Sequence, residues 1–255
     1  MSANQGIGLN LVKLLAASGH IVYLGARNPD LGMQAVKQLK DDHGLDARFL
    51  HLDVTDSLLI KAAKERLENE HGRLDVLVNN AGDSHLPRLR QAASDVSHSA
   101  VACPFIKPSD SRPEEYRRSF ETNFFAVIEL TTALIPLIRK SKLGYGAIVN
   151  VTSGLGSNSS RAGPEANPDY AYANAYGASK AALNSYTISL ATDLKDEKIR
   201  VNCICPGIVT TKINGYQPGN TPLEAAKLFL PWVLVGPEDD DKTCQFYSAG
   251  KPKGW

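Results

Sequence analysis

The sequence has 255 residues, of which 43% are hydrophobic and 22% are charged, and its formal net charge is +1. That length suits one large domain with a substantial core, and the near-neutral charge argues against nucleic acid or an anionic membrane as a partner. The four cysteines (Cys103, Cys203, Cys205 and Cys244) have no C-x-x-C or zinc spacing, and no run of 18 uninterrupted apolar residues occurs, so we predict no metal site, no membrane span and a reducing, cytoplasmic location.

The chain begins with MSANQGIGLN, in which Gly6-Ile7-Gly8 leads into an apolar helical pattern. Such a turn between a strand and a helix is typical of a site where a phosphate binds at the helix N-terminus. A strand is expected before the turn, but only Met1 precedes Ser2. Two interpretations stay open: a phosphate-binding loop without its strand, or the start of an ordinary helix.

Strand and helix patterns alternate along the rest of the chain. The predicted strands are HIVYLGAR (20–27), ARFLHLDV (47–54), LDVLVNNAG (74–82), GAIVNVTS (146–153), IRVNCICPG (199–207) and CQFYSAG (244–250). The predicted helices span 28–44, 57–71, 113–142 and 175–197. Strands separated by helices imply parallel pairing through right-handed crossovers. The sequence therefore predicts a single α/β domain over residues 1–255, with a Rossmann-like doubly wound parallel sheet.

Three long stretches, at 83–112, 154–174 and 208–222, follow predicted strands and have irregular composition. Loops of this length inside a domain are often functional. Because open α/β sheets bind ligands at the carboxyl ends of their strands, we expect these loops to surround a site.

Tyr176 and Lys180 are four residues apart on a predicted helix and so share one face. An ammonium group near a phenol lowers the pKa of the phenol, which makes it a proton donor usable near neutral pH. A pair at this spacing also arises by chance, so it carries little weight alone.

Other candidate residues lie near strand ends or on the following helices. Ser153 and Asp53 end predicted strands, Asn80 lies in the turn NNAG at 79–82, and Asn123 lies inside a predicted helix. Three of them have an ordinary alternative: a turn residue for Ser153, a helix cap for Asp53, and a surface or capping residue for Asn123.

Taken together, these motifs resemble the short-chain dehydrogenase/reductase family over nearly the whole chain. The motifs that occur in the family's order are G-x-G at 6–8, LDV at 52–54, NNAG at 79–82, Asn123, Ser153, YxxxK at 176–180 and PGxxxT at 206–211. The ending CQFYSAGKPKGW and the wide interval between Ser153 and Tyr176 further resemble the carbonyl-reductase branch.

The resemblance implies an oxidoreductase that acts on a ketone, an aldehyde or the matching alcohol by hydride transfer. It implies that Tyr176 exchanges the proton, Lys180 lowers its pKa and holds the nicotinamide ribose, Ser153 orients the carbonyl, and Asn123 holds a water molecule. This is general acid catalysis with stabilisation of a developing alkoxide.

The resemblance also implies a dinucleotide site. Its expected residues, besides Tyr176 and Lys180, are Gly6, Ile7, Gly8, Arg27, Asp53, Asn80, Val209 and Thr211. The second strand ends without the carboxylate that usually binds the NAD ribose, and Arg27 offers a planar guanidinium suited to a 2′-phosphate. We therefore predict NADP rather than NAD, although Arg27 also fits a solvated surface residue.

In this family the glycine-rich loop reads T-G-x-x-x-G-x-G after a strand, so its first glycine falls on Ser2 and the N-terminal strand is absent. We expect the flanking strands either to leave an unfilled slot or to shift together. The alternative function is a non-catalytic dinucleotide-binding protein or an inactive remnant. The expected partner is a small-molecule carbonyl or alcohol, and either a monomer or a homodimer fits the sequence.

Overall fold

The computed structural model describes residues 3–82, 108–164, 166, 174–212, 215–216 and 218–255, so Cys103 and most of the predicted loop 83–112 lie outside the described residues. Within them the α-helices are α1 (Gly6–Ala17), α2 (Pro29–His43), α3 (Ser57–His71), α4 (Pro113–Phe120), α5 (Ala126–Ile138), α6 (Asn158–Ala162), α7 (Asn174–Asp193), α8 (Pro222–Lys227) and α9 (Leu230–Val233). The strands are β1 (Tyr23–Ala26), β2 (Arg48–His51), β3 (Val76–Asn79), β4 (Gly146–Val151), β5 (Ile199–Cys205), β6 (Phe246–Ser248) and β7 (Lys251–Pro252).

Local capping explains why α2 and α3 begin and end where the sequence predicts. The Asn28 side chain accepts a hydrogen bond from the first turn of α2, and the Asp56 side chain accepts two from the first turn of α3. Each helix ends at a glycine in the left-handed region, Gly44 (φ 66) and Gly72 (φ 68), where a side chain would be strained.

Two predicted helix extents were wrong. The helix predicted over 113–142 ends at Ile138 and is interrupted by a π-helical turn at Glu121–Phe125. The helix predicted over 175–197 ends at Asp193, where a short 3₁₀ turn at Lys195–Glu197 leads into β5. Part of the predicted loop 154–174 also forms regular structure, as a 3₁₀ turn at Gly154–Gly156 and helix α6.

The strands confirm the α/β class with parallel pairing. β1 pairs with β2 in parallel, and β3, β4, β5 and β6 pair in parallel in that order. β7 adds a short antiparallel edge beside β6. The central strands β4 and β5 are buried along almost their whole length, as expected for strands covered by helices on both faces.

The described strands form two sheets rather than the single sheet that the alternation predicts. The order is β1-β2 in one and β3-β4-β5-β6-β7 in the other, and no ladder joins β1 to β3 among the described residues. A cavity of about 780 Å³ lies between them, lined by residues of β1, β3 and the adjacent helices. The structure thus contains the slot that the sequence analysis expects, rather than flanking strands that close together.

One helical run, Pro113–Ile138, is long and apolar enough to cross a membrane by length and composition. Its Leu130, Leu134 and Leu137 are buried in the main hydrophobic core against β3, β4 and α7. This packing is that of a core helix in an α/β fold.

Candidate active site

Ser153 follows Thr152 after the end of β4 and caps the 3₁₀ turn at Gly154–Gly156. Its Oγ accepts a hydrogen bond from the backbone N–H of Leu155 at 3.2 Å. The alternative role as a turn residue is therefore present in the structure. It does not exclude a second role, since a hydroxyl oxygen has two lone pairs and one O–H to donate.

The turn that carries Ser153 packs tightly against the helix that carries Tyr176 and Lys180. A Cβ atom added to Gly156 would lie 2.8 Å from the carbonyl carbon of Lys180, and one added to Gly177 would lie 3.0 Å from the carbonyl oxygen of Leu155. Glycines at these two positions leave room for the close approach of the two elements.

Lys180 is buried below the surface of the site, with 3% of its area exposed. Its Nζ donates to the carbonyl oxygen of Val151 at 2.9 Å and lies 5.9 Å from the centre of the Tyr176 ring. Burial lowers the pKa of Lys180 to about 8, because a low-dielectric environment disfavours the charged form.

Asn123 is fully buried in the π-helical turn. Its Nδ2 donates to Ser179 Oγ at 3.0 Å, and Ser179 Oγ donates to the carbonyl oxygen of Tyr176 at 2.8 Å. The surface alternative for Asn123 is wrong, since this chain of bonds ties the π turn to the first turns of α7. Single π turns inside α-helices often occur at functional sites.

Gly82 brings the loop after β3 to the same place. A Cβ atom added there would lie 3.4 Å from Asn123 Oδ1 and 3.5 Å from Lys180 Nζ. The structure therefore brings together Lys180, Asn123 and the loop after β3, at the carboxyl ends of β3 and β4.

The N-terminus of α1 carries the predicted glycines. Gly6 has φ +61, and the side chain of the preceding Gln5 does not cap the first N–H groups of the helix. A Cβ atom added to Gly8 would lie 2.8 Å from Asn80 Nδ2, and one added to Gly6 would lie 3.6 Å from Thr211 Cγ2. The structure places Asn80 and Thr211 beside this helix end. Ile7 is half-buried and packs in the core between α1 and α9.

Arg27 and Asp53 line the cavity that Gly8 and Asn80 also line. Asp53 does not cap α3, which uses Asp56; its Oδ1 accepts from the N–H and the hydroxyl of Thr55. Arg27 is exposed, so it is accessible to a ligand phosphate and equally fits the solvated alternative.

The segment after β5 carries two more of the predicted cofactor residues, Val209 and Thr211. Val209 is buried and forms an isolated parallel bridge with Asn220, and Thr211 Oγ1 donates to the carbonyl oxygen of Val209 at 3.3 Å. Both residues therefore lie in the segment that follows the carboxyl end of β5.

Sequence analysis missed Cys205. Its Sγ accepts from the N–H of Gly154 at 3.1 Å and from the N–H of Gly207 at 3.4 Å, so it joins the loops after β4 and β5. Free buried cysteines were expected for Cys203 and Cys205, and both are free and buried. The alternation in IRVNCIC predicts that Cys203 and Cys205 lie on one face of the strand. It does not predict the two hydrogen bonds that Cys205 Sγ accepts.

Sequence analysis also missed a buried polar chain beneath the site. Asn79 Nδ2 donates to Asn150 Oδ1 at 2.8 Å, and Asn150 Nδ2 donates to Thr187 Oγ1 at 2.9 Å. These bonds fix β3, β4 and α7 relative to one another. The sequence feature that could have predicted this chain is the presence of Asn79 and Asn150 inside otherwise apolar strands.

These features fit a bound dinucleotide. The first N–H groups of α1, which the Gln5 side chain does not cap, suit a phosphate. The glycines leave room for close backbone approach, and Arg27 supplies a guanidinium at the end of β1. Lys180 and Asn123 lie further along the same edge, next to Gly82.

Comparison with known proteins identifies the family. The model of the short chain dehydrogenase family matches residues 1–220, and the chain belongs to that family. It is 35% identical over 230 residues to cyclopentanol dehydrogenase from Comamonas sp., a match that covers 90% of this chain and 79% of that protein.

Two solved structures resemble the fold closely. Salutaridine reductase from Papaver somniferum matches with a TM-score of 0.76 and 29% identity, covering 96% of both chains. NADPH-bound carbonyl reductase from chicken fatty liver matches with a TM-score of 0.77 and 25% identity, covering 99% of this chain and 96% of that one. These relatives are a dehydrogenase of cyclopentanol, a salutaridine reductase and a carbonyl reductase. This chain has the fold of the oxidoreductases of its family.

The lowered pKa of Lys180 predicts a pH-dependent difference in stability. Its pKa is about 8 when folded and near 10.5 when unfolded, so between these values the unfolded chain binds more protons and stability rises with pH. In Lys180→Met this contribution is absent. Urea unfolding of both proteins across that range should show the wild type gaining roughly 1.4 kcal/mol per pH unit relative to the variant. Parallel stability curves would contradict the burial argument.

Proposed function

We propose that this protein is an NADP-dependent oxidoreductase that reduces a ketone or aldehyde, or oxidises the matching alcohol, with Tyr176 as proton donor or acceptor. The proposal makes Ser153, Tyr176, Lys180 and Asn123 the catalytic residues. It also makes the protein carbonyl-reductase-like and cytoplasmic, acting as a monomer or homodimer.

The observation that carries the proposal is the position of Lys180. A lysine with 3% exposure keeps its Nζ beside a tyrosine ring and hydrogen-bonded to a backbone carbonyl. Burying a charge in this way is costly, and a perturbed lysine next to a second titratable group is a recognised mark of an active site.

Within this site, each side chain has a distinct task. The Lys180 ammonium favours the phenolate of Tyr176, so the Tyr176 hydroxyl releases its proton to a substrate oxygen more readily. Ser153 holds that oxygen by donating from Oγ. Asn123, tied to α7 through Ser179, holds a water molecule that links Lys180 to solvent.

The dinucleotide would be held by the N–H groups at Gly6, Ile7 and Gly8, by Arg27, Asp53 and Asn80, and by Val209, Thr211, Tyr176 and Lys180. When bound, it supplies the hydride that the protein's side chains cannot provide. The exposed guanidinium of Arg27 favours a 2′-phosphate, since charge-assisted contacts to phosphate are strong and directional.

Two measurements on the purified protein test the proposal. Calorimetric titration with NADPH measures binding, and the fall in NADPH absorbance with cyclopentanone and a panel of other ketones measures turnover. Oxidation of cyclopentanol with NADP⁺ measures the reverse reaction. Tight binding without turnover of any carbonyl or alcohol would contradict the catalytic proposal.

The cavity between the two sheets favours a second candidate function, a dinucleotide-binding protein without catalytic activity. It lies beside β1 and β3, whose ends carry Arg27 and Asn80, so it could weaken the alignment of the cofactor with the buried lysine. This candidate predicts that the protein binds NADPH but has no turnover. An inactive remnant predicts neither NADPH binding nor turnover.

Arg27→Ala should reduce the preference for NADPH over NADH. Removing a charge-assisted contact of roughly 1.5–3 kcal/mol should weaken NADPH binding about 10- to 100-fold and leave NADH binding nearly unchanged. Calorimetry with both cofactors measures the difference. The matched control is Arg66→Ala, because Arg66 bonds Glu70 and the Phe49 carbonyl away from the glycine turn. Equal affinity of the wild type for both cofactors would overturn the NADP assignment.

A further inference from the structure

Asn184 lies on α7 one helical turn after Lys180, as Lys180 lies one turn after Tyr176. Because residues four apart are neighbours on a helix surface, each of the three lies beside the next. Asn184 is buried, with 3% of its area exposed, and it belongs to none of the family's motifs. Its position next to the buried lysine calls for an account of what its side chain bonds.

Both polar ends of the Asn184 side chain bond the stretch of chain that carries Ser153. Thr152 Oγ1 donates to Asn184 Oδ1 at 2.6 Å, and Asn184 Nδ2 donates to the carbonyl oxygen of Gly156 at 3.1 Å. Thr152 directly precedes Ser153, and Gly156 ends the 3₁₀ turn that Ser153 caps. One side chain of α7 therefore binds the chain on both sides of Ser153.

The same face of α7 also bonds the residue before Thr152. Lys180 Nζ donates to the carbonyl oxygen of Val151 at 2.9 Å. The distance between the Lys180 ammonium and the Ser153 hydroxyl thus depends on how α7 is joined to this stretch of chain. Asn184 supplies the bonds that extend the join from Val151 to the far end of the turn.

The polarity of Asn184 is explained by these two bonds. Asparagine is a weak helix former, and the helix residues Leu183, Leu190 and Ala191 are buried apolar side chains. Burying an amide costs free energy unless its groups are hydrogen-bonded. Leucine has a similar volume and would occupy the position without that cost. What asparagine adds here is the connection to the turn.

We propose that Asn184 is a positioning residue, which fixes the Ser153 hydroxyl relative to Lys180 by holding the turn. The inference rests on the proposed function, because Ser153 orients a carbonyl oxygen only in a protein that reduces a carbonyl. Asn184 exchanges no proton and acts through Ser153. Its effect is geometric, since a shift of about 1 Å at a catalytic group can cost about a hundredfold in rate.

Asn184→Leu should lower kcat for carbonyl reduction about 10- to 30-fold, less than a full 1 Å displacement would cost, because the backbone bonds of the turn remain. The matched control is Asn202→Leu. Asn202 is 1% exposed, and its side chain also donates one bond, to the Lys242 carbonyl at 2.7 Å, and accepts one, from the Gln245 N–H at 2.9 Å. This control should lose Tm but keep near-normal kcat well below its Tm. Equal losses of kcat in both variants would overturn the proposal.

A double variant tests whether Asn184 acts through Ser153. In a Ser153→Ala background, Asn184→Leu should lower kcat by less than about threefold, because the hydroxyl that Asn184 positions is gone and the two effects are not additive. A residue with a purely structural role would lower kcat by the same factor in both backgrounds. Such additivity would overturn the proposal.

Exchange of backbone amide hydrogens gives a readout that needs no turnover. Leu155 N–H bonds Ser153 Oγ, and the N–H groups of Gly156 and Ser157 bond carbonyls of the same turn. Asn184→Leu should speed exchange at these three amides by about tenfold or more, and Asn202→Leu should not. Unchanged exchange in Asn184→Leu would overturn the proposal. If the wild type reduces no carbonyl, the proposed function fails, and exchange still decides whether Asn184 holds the turn.

Discussion

Tyr176→Phe should lower kcat/KM for carbonyl reduction by ~10²–10⁴-fold, the usual contribution of one general acid, while NADPH affinity and Tm stay close to wild type. The substitution deletes one hydroxyl and keeps the ring. The contact between the ring and Lys180 Nζ, at 5.9 Å, does not need the hydroxyl, and Tyr176 is only partly buried.

The expected loss has a physical reason: the Tyr176 hydroxyl is the proposed source of the proton that the substrate oxygen receives. Lys180 Nζ bonds the Val151 carbonyl, and its backbone belongs to α7, so we expect the substitution to leave the ammonium group in its position. The Tyr176→Phe variant keeps that charge in place but has no proton to release, and solvent would have to supply it. The loss should therefore appear in kcat, with little change in KM.

Tyr186→Phe is the matched control. Tyr186 lies on the same helix, and its side chain packs against the main core and bonds Thr132 rather than lying at the strand ends. The same atom is removed, so any general effect on α7 appears in both variants. Retention of turnover in Tyr176→Phe, or equal losses in both, would contradict the assignment of the proton donor.

Much of the fold could be predicted from local chemistry. The ends of α2 and α3 follow from capping residues and from glycines that alone adopt the left-handed region easily. The parallel strands follow from apolar runs separated by helices. The slot between the sheets follows from the family's order of elements, which places a strand where this structure has a cavity.

Features that depend on tertiary contact were not predictable. The π turn at Glu121–Phe125 exists where Asn123 bonds Ser179, 56 residues later in the chain, and no helical periodicity encodes such a bond. Cys205 is similar, since its two N–H donors come from loops that only the fold brings together. The candidate residues were predictable as a set because of the family resemblance; their roles stay predictions.

A second large effect on turnover is expected at Gly156, which belongs to none of the family's motifs. Gly156→Ala should reduce turnover by about a hundredfold, since a displacement of about 1 Å at a catalytic group can cost that much. The added Cβ would lie 2.8–3.0 Å from backbone and Cβ atoms of Lys180, closer than real contacts allow. The turn after Ser153 must then move away from α7, and overpacking of this kind also costs roughly 1–3 kcal/mol of stability.

Gly154→Ala supplies the control, because it lies in the same 3₁₀ turn and its added Cβ would meet only Ser248 Oγ, at 3.8 Å. We expect this variant to keep near-normal turnover and Tm. Measuring kcat, NADPH affinity and Tm for both separates displacement of the Ser153 turn from unfolding. If the turn sets the geometry, Gly156→Ala loses kcat at temperatures well below its own Tm. Most of its NADPH affinity should remain, because the residues expected to bind the adenosine end lie on α1 and in the loops after β1, β2 and β3. Turnover as high as in Gly154→Ala would mean that the contact between this turn and α7 does not position the reacting groups.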